Sequence, residues 1–258
     1  MTKQLADYEL EKWLRSLKLD SSGPAGACGQ TYNQTYSQSY GPTGGGSCIS
    51  WQQRVQYAVG HAINDYFTLL PAVRLHTPIQ VLLNRRWPRN QRDFPDPLFY
   101  WQVYHRMVSE LTFITGTRIY EYPLALYENW GTHVAGLDLH LSIIFQAVWQ
   151  ERGNPDRVTV QKFLVEENES ITQAFIHLVN VFWHSAFGRP PGDIEVYALM
   201  EGRRQVIPGE SLDLQESLDY VWLLQEAWEC GCCHRESEEP GADINRTGGG
   251  EPWRLGVS

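Results

Sequence analysis

The chain has 258 residues, a net charge of −9, a pI near 5.4 and an ordinary apolar fraction of 42%. That length suits one substantial domain with tails, and the acidic balance argues against bulk attraction to nucleic acid or anionic lipid. No run approaches about 18 uninterrupted apolar residues, and residues 1–19 lack the apolar core of a signal peptide. The expectation is therefore no membrane contact and a cytoplasmic protein with reduced cysteines, a virus particle being the other setting considered.

Residues 1–19 read as an amphipathic arm, with Tyr8, Trp13, Leu14 and Leu17 gathered on one side as the expected contacts to a protein partner, in cis or on a neighbouring subunit. Residues 20–49 form a Gly/Ser/Gln/Tyr-rich linker with the near-repeat QTYNQTYSQSY, a composition that cannot bury a core. Apolar residues at helical spacing predict a helix over 50–70, ended by Pro71, and a shorter one over 78–87. The loop 84–97 carries Arg85, Arg86, Arg89 and Arg92 around Trp87. Asp96-Pro97 opens a further predicted helix over 98–114.

The stretch 117–131 is ambiguous: 118–122 alternates like a strand, while 123–130 suits a helical turn or two. Helices are predicted over 133–150, 157–165, 193–204 and 212–229. The most apolar helix-length segment, 171–187, is read as the buried centre of the molecule. Asn168 caps its start, and Gly188 followed by two prolines stops it. Residues 230–258 are Cys-containing, acidic and Gly-rich and read as a flexible tail. The predicted fold is all-α: a compact bundle of six or seven helices over 50–229, flanked by arm and tail.

Several clusters invite a chemical reading. The polar stripe Gln173, His177, Asn180 and His184 runs along the central helix and reads as a buried seam. His177 and His184 stand two turns apart, roughly 10.5 Å along the axis, too far to share an ion held at about 2 Å. A metal would need one histidine from each of several helices, with His61, His140 and His177 as the weak candidates. The run Cys230-Gly231-Cys232-Cys233-His234 lacks the paired knuckles of a closed zinc site, and its only possible partners, Cys28 and Cys48, fall in the linker. Arg85, Arg86, Trp87, Arg89 and Arg92 suit contact with nucleic acid or with an acidic partner. No nucleophile elbow, Walker loop or dinucleotide fingerprint occurs, and no cofactor is expected. The functional expectation is a non-enzymatic assembly or interaction subunit. The alternatives are a metal-dependent helical-bundle enzyme using the helix histidines, and an accessory subunit touching nucleic acid through the arginine loop.

Overall fold

The computed structural model describes residues 3–20, 49–151 and 153–236. Residues 21–48 of the expected linker, with Cys28 and Cys48, and 237–258 of the expected tail lie outside these residues, while 230–236, expected as flexible tail, are helical. In chain order the elements are β1 (Lys3–Ala6), α1 (Asp7–Asp20), α2 (Trp51–Thr68), α3 (Pro71–Arg74), α4 (Ile79–Arg86), α5 (Pro97–Thr117), β2 (Ala125–Val134), β3 (Leu139–Glu151), β4 (Asn154–Leu164), α6 (Glu169–Phe187), β5 (Asp193–Ala198), β6 (Arg203–Pro208) and α7 (Leu214–Glu236).

The all-α, helical-bundle expectation is overturned: the chain builds a six-stranded mixed sheet with helices on both faces. The segments predicted as helices over 133–150, 157–165 and 193–204 are strands β3, β4 and β5, with the adjoining parts of β2 and β6. The physical reason is burial on two sides. In β3, Leu139, Leu141, Ile143 and Phe145 face one core, while Ala147 and Trp149 face the other. A strand covered on both faces loses clean alternation and resembles a helical apolar run. The alternation of 118–122 does not make a strand either; these residues form a turn and an extended connection.

The helices before the sheet follow their local signals. Ser50 closes a capping box with Gln53 at the start of α2, and Asp96 accepts from the Phe99 N–H at 2.8 Å to cap α5. In α6, Asn168 Oδ1 accepts from the Ile171 N–H at 3.2 Å, and Gly188 adopts φ 70° at the C-terminus, where a side chain would be strained.

β3 anchors the sheet. β2 pairs antiparallel along one side of it. Two strands share its other side: β1 runs parallel to Leu139–Ser142, and β4 runs antiparallel opposite Ala147–Glu151. β4 continues through α6 into parallel β5, and β6 closes the edge. α1, α6 and α7 cover one face over a core that includes Leu5, Leu10, Phe145, Val160, Phe182 and Ile194. α2, α4 and α5 form the second core over Trp149, Phe163 and Tyr197.

The α3 corner rests on one side chain. Arg74, only 2% exposed, donates to the carbonyls of Phe67 (2.6 Å), Leu69 (2.8 Å), Ile119 (3.2 Å) and Glu121 (2.5 Å). Its guanidinium also lies over the rings of Phe67 and Tyr122 at 5.2 and 5.3 Å. Burial pulls its pKa below the ordinary guanidinium value. Arg74→Met keeps the stem but strands several carbonyls, so chemical denaturation is expected to register a loss of about 2–4 kcal/mol.

Candidate ligand cleft

β1 and β4 approach each other along the same side of β3, and the pairing of each with β3 stops before they meet. The last β1 pair is Ala6 with Ser142, and the last β4 pair before the gap is Gln161 with Ala147. Side chains take over the ladder between them. Asp7 Oδ1 accepts from the Ile144 N–H at 3.0 Å. Gln146 Oε1 accepts from the Phe163 N–H at 2.7 Å. The Gln56 amide, on α2, donates to Phe163 O at 2.7 Å and accepts from the Val165 N–H at 3.0 Å. Buried backbone groups are thereby satisfied without closing the sheet.

A cleft of about 700 Å³ opens at this split. Its walls come from α1 (Asp7, Tyr8, Glu11), α2 (Gln53, Gln56, Tyr57, Gly60, His61, Asn64) and the strands (Leu126, Tyr127, Ile144, Gln146, Lys162). That volume falls in the range of small-molecule sites, which combine apolar walls with a few placed polar groups.

Three charges sit at its base. Lys162, 3% exposed, donates from Nζ to Glu11 Oε2 at 2.7 Å and lies 4.8 Å from the centre of the Phe175 ring. Burial alone would lower its pKa, but Glu11 and Asp7 outweigh that and raise it, so it stays an ammonium. Burial likewise works to raise Glu11, yet the cations Lys162 and Arg15 win and hold it at about 2. Arg15 reaches the other Glu11 oxygen at 2.7 Å. Asp7 behaves differently. It is 6% exposed, and burial raises its pKa more than the Lys162 charge and the Ile144 N–H lower it. Two carboxylates on one helical turn are thus pushed apart, a pattern concentrated at functional sites.

Tyr127 forms the opposite wall with a strained backbone. Its φ is 52°, the left-handed region that an aromatic side chain rarely adopts. The strand alternation slips here: Leu126 and Tyr127, adjacent in sequence, both pack toward the α2–α5 core. The Tyr127 ring lies on Gly60 of α2, where a Cβ would stand 3.2 Å from Oη and 3.3 Å from the ring, so any side chain there would press on it. The Tyr127 hydroxyl is buried and makes no hydrogen bond among the described residues, and burial raises its pKa. Nearby, the Tyr57 and His61 rings meet edge-on with centroids 4.2 Å apart.

A second buried network, under α5, is closed by contrast. Gln161 accepts from Trp149 Nε1 at 2.6 Å and donates to Glu195 at 2.7 Å. Tyr197 and Arg204 also donate to Glu195, at 3.0 and 2.5 Å. Hydrogen bonds and the Arg204 charge outweigh burial and lower the Glu195 pKa. Its groups are spent on one another, so it reads as structural.

The residues singled out from sequence are dispersed. Of the arm contacts, Trp13 and Leu14 pack onto the chain's own core, while Tyr8 and Leu17 are 54% and 46% exposed, with Tyr8 on the cleft rim. His61 lines the cleft, His140 lies on β3 and His177 on α6; among the described residues no three His, Cys, Asp or Glu side chains converge on a metal-sized point. Two members of the α6 stripe, His177 and Asn180, face α7. Asn180 Nδ2 and His177 Nδ1 meet Ser217 Oγ at 2.9 and 3.0 Å. The Ser217 hydroxyl also lies 2.9 Å from Asp213 O. Burial lowers the pKa of His177 and of His184, and Gln173 donates to Glu169 at 2.8 Å. Arg85, Arg86, Arg89 and Arg92 are exposed, but Trp87 between them is a core residue, 4% exposed and packed on Tyr104 at 5.1 Å, so it presents no face to a base. Cys230 is a free, exposed thiol on α7.

Asp7, Glu11, Lys162, Tyr127, Gly60, Gln56 and Gln146 were not legible as a site. One signal was there: Lys162 interrupts the apolar run VTVQKFLV, and a charge in a buried pattern implies a partner. No protein-family model matches the chain, and no curated protein matches it in sequence. No helix among the described residues is long and apolar enough to cross a membrane.

Proposed function

We propose that this α/β domain binds a small organic molecule in the cleft between α1, α2 and the split sheet. The observation that carries the reading is Tyr127: a strained backbone holds a buried hydroxyl, without a partner among the described residues, at the wall of a cleft of about 700 Å³. Strain and unsatisfied polar groups both cost stability, and proteins retain such costs chiefly at sites of function.

Two measurements test it. Tyr127→Phe removes the orphaned hydroxyl and keeps the ring. In the ligand-free protein it is expected to leave stability unchanged or raise it by about 1–2 kcal/mol, measured by chemical denaturation. A loss above 1 kcal/mol would show that the hydroxyl has a structural partner. Fragment screening by ¹H–¹⁵N NMR is expected to perturb amides of Gly60, His61, Leu126, Tyr127 and Gln146 together. Hits confined to other surfaces would remove the cleft as a site.

A second reading concerns a protein partner. Leu70, Val73, Leu75, Tyr120, Tyr122 and Leu124 are each 45–64% exposed around the α3 corner that Arg74 holds together. Exposed apolar side chains of this number support association with another protein. Light scattering of the full chain, with and without Val73→Glu, tests whether the patch joins copies of the chain.

A further inference from the structure

We propose that the cleft takes an organic ammonium, its cationic group on the Asp7 carboxylate and its apolar part against the rings of Tyr57 and Tyr127. This rests on the cleft reading above.

Asp7 is the unbalanced member of the cluster. It is 6% exposed and lines the cleft. It accepts from the backbone N–H groups of Ile144 and Tyr8, and no cation stands within ion-pair distance of it among the described residues. The nearest ammonium, Lys162, is already committed to Glu11 at 2.7 Å with the Phe175 ring beside it. A carboxylate withdrawn from water without a counter-charge is costly, and a ligand that brings the counter-charge recovers that cost on binding.

The other walls agree with a cation. Glu11 is matched by two cations, Lys162 and Arg15, each at 2.7 Å, which leaves Asp7 as the acidic group of the cleft wall that no cation contacts directly. A carboxylate or phosphate would bring a second anion to Asp7 and supply it no counter-charge. Tyr57 and Tyr127 line the cleft with aromatic rings, which attract an ammonium desolvated against them.

The experiment compares benzylamine, benzyl alcohol and benzoate, matched in size, titrated into the full chain at neutral pH with the cleft amides followed by NMR. Benzylamine is expected to bind about tenfold tighter than benzyl alcohol, the difference a charge-assisted hydrogen bond makes, with benzoate weakest. Asp7→Asn is expected to erase the tenfold preference. Equal or tighter binding of benzyl alcohol or benzoate to the wild type overturns the assignment of an ammonium and leaves the cleft standing. A preference that survives Asp7→Asn overturns the role of Asp7. If none of the three perturbs the cleft amides at millimolar concentration, the cleft reading itself falls. The wild-type comparison decides the ligand class even if the variant does not fold.

Discussion

Lys162→Met is expected to destabilise the protein by about 3–5 kcal/mol, the usual loss when one partner of a buried ion pair is removed. The variant leaves Glu11 and Asp7 facing each other without the ammonium that lies 2.7 Å from Glu11. Converting the group together, as Asp7→Asn, Glu11→Gln and Lys162→Met, is expected to recover most of that loss, since a neutral set needs no counter-charge. A loss below about 1 kcal/mol in the single variant would show that the pair is not structural.

The same cluster makes opposite contributions in acid. Glu11 is held at about 2 against an ordinary 4.5, so its share of stability is complete above 4.5 and lost as the pH falls from there toward 2. Asp7 is raised above its ordinary 3.8, so its charge burdens the fold at neutral pH, and that burden lifts as the pH falls through its raised value. Stability is therefore expected to hold or rise on mild acidification and then to drop steeply below pH 4.5. Glu11→Gln should flatten the drop, and Asp7→Asn should remove the rise. Urea denaturation midpoints across pH 2–7 report both.

The double variant Leu5→Ala, Leu10→Ala is expected to approach the whole stability of the domain. Both side chains are 1% exposed, Leu5 from β1 and Leu10 from α1, in the core under α6. Each truncation costs about 2–5 kcal/mol, and a typical domain holds only about 5–15. Tyr8→Ala and Leu17→Ala, on the exposed side of the same helix, should change stability by about 0.5 kcal/mol or less. If the double variant unfolds at the same denaturant concentration as the wild type, the first twenty residues are not integral to this domain.

Those twenty residues show where sequence reading stops. The amphipathic character of α1 was legible, because apolar spacing is local. That its buried side faces α6, and that Lys3–Ala6 forms a strand on β3, depends on a partner strand more than 130 residues later. The candidate site has the same property. Tyr8 and His61 were noted for other reasons, yet the cleft brings them together with Asp7, Tyr127, Gln146 and Lys162, from five elements.

Sequence alone determined the helices that carry their own punctuation: α2 ended before Pro71, α5 opened by Asp96-Pro97, and α6 between Asn168 and Gly188. Caps act over one turn, so a local pattern is sufficient for them. Tertiary structure decided the rest. β3, β4 and β5 read as helices because burial on both faces fills their polar positions, and only pairing with neighbours selects the extended chain. The split between β1 and β4, the left-handed Tyr127 and the unpaired Asp7 exist only once the sheet is assembled, since each is defined by a backbone group or charge far along the chain.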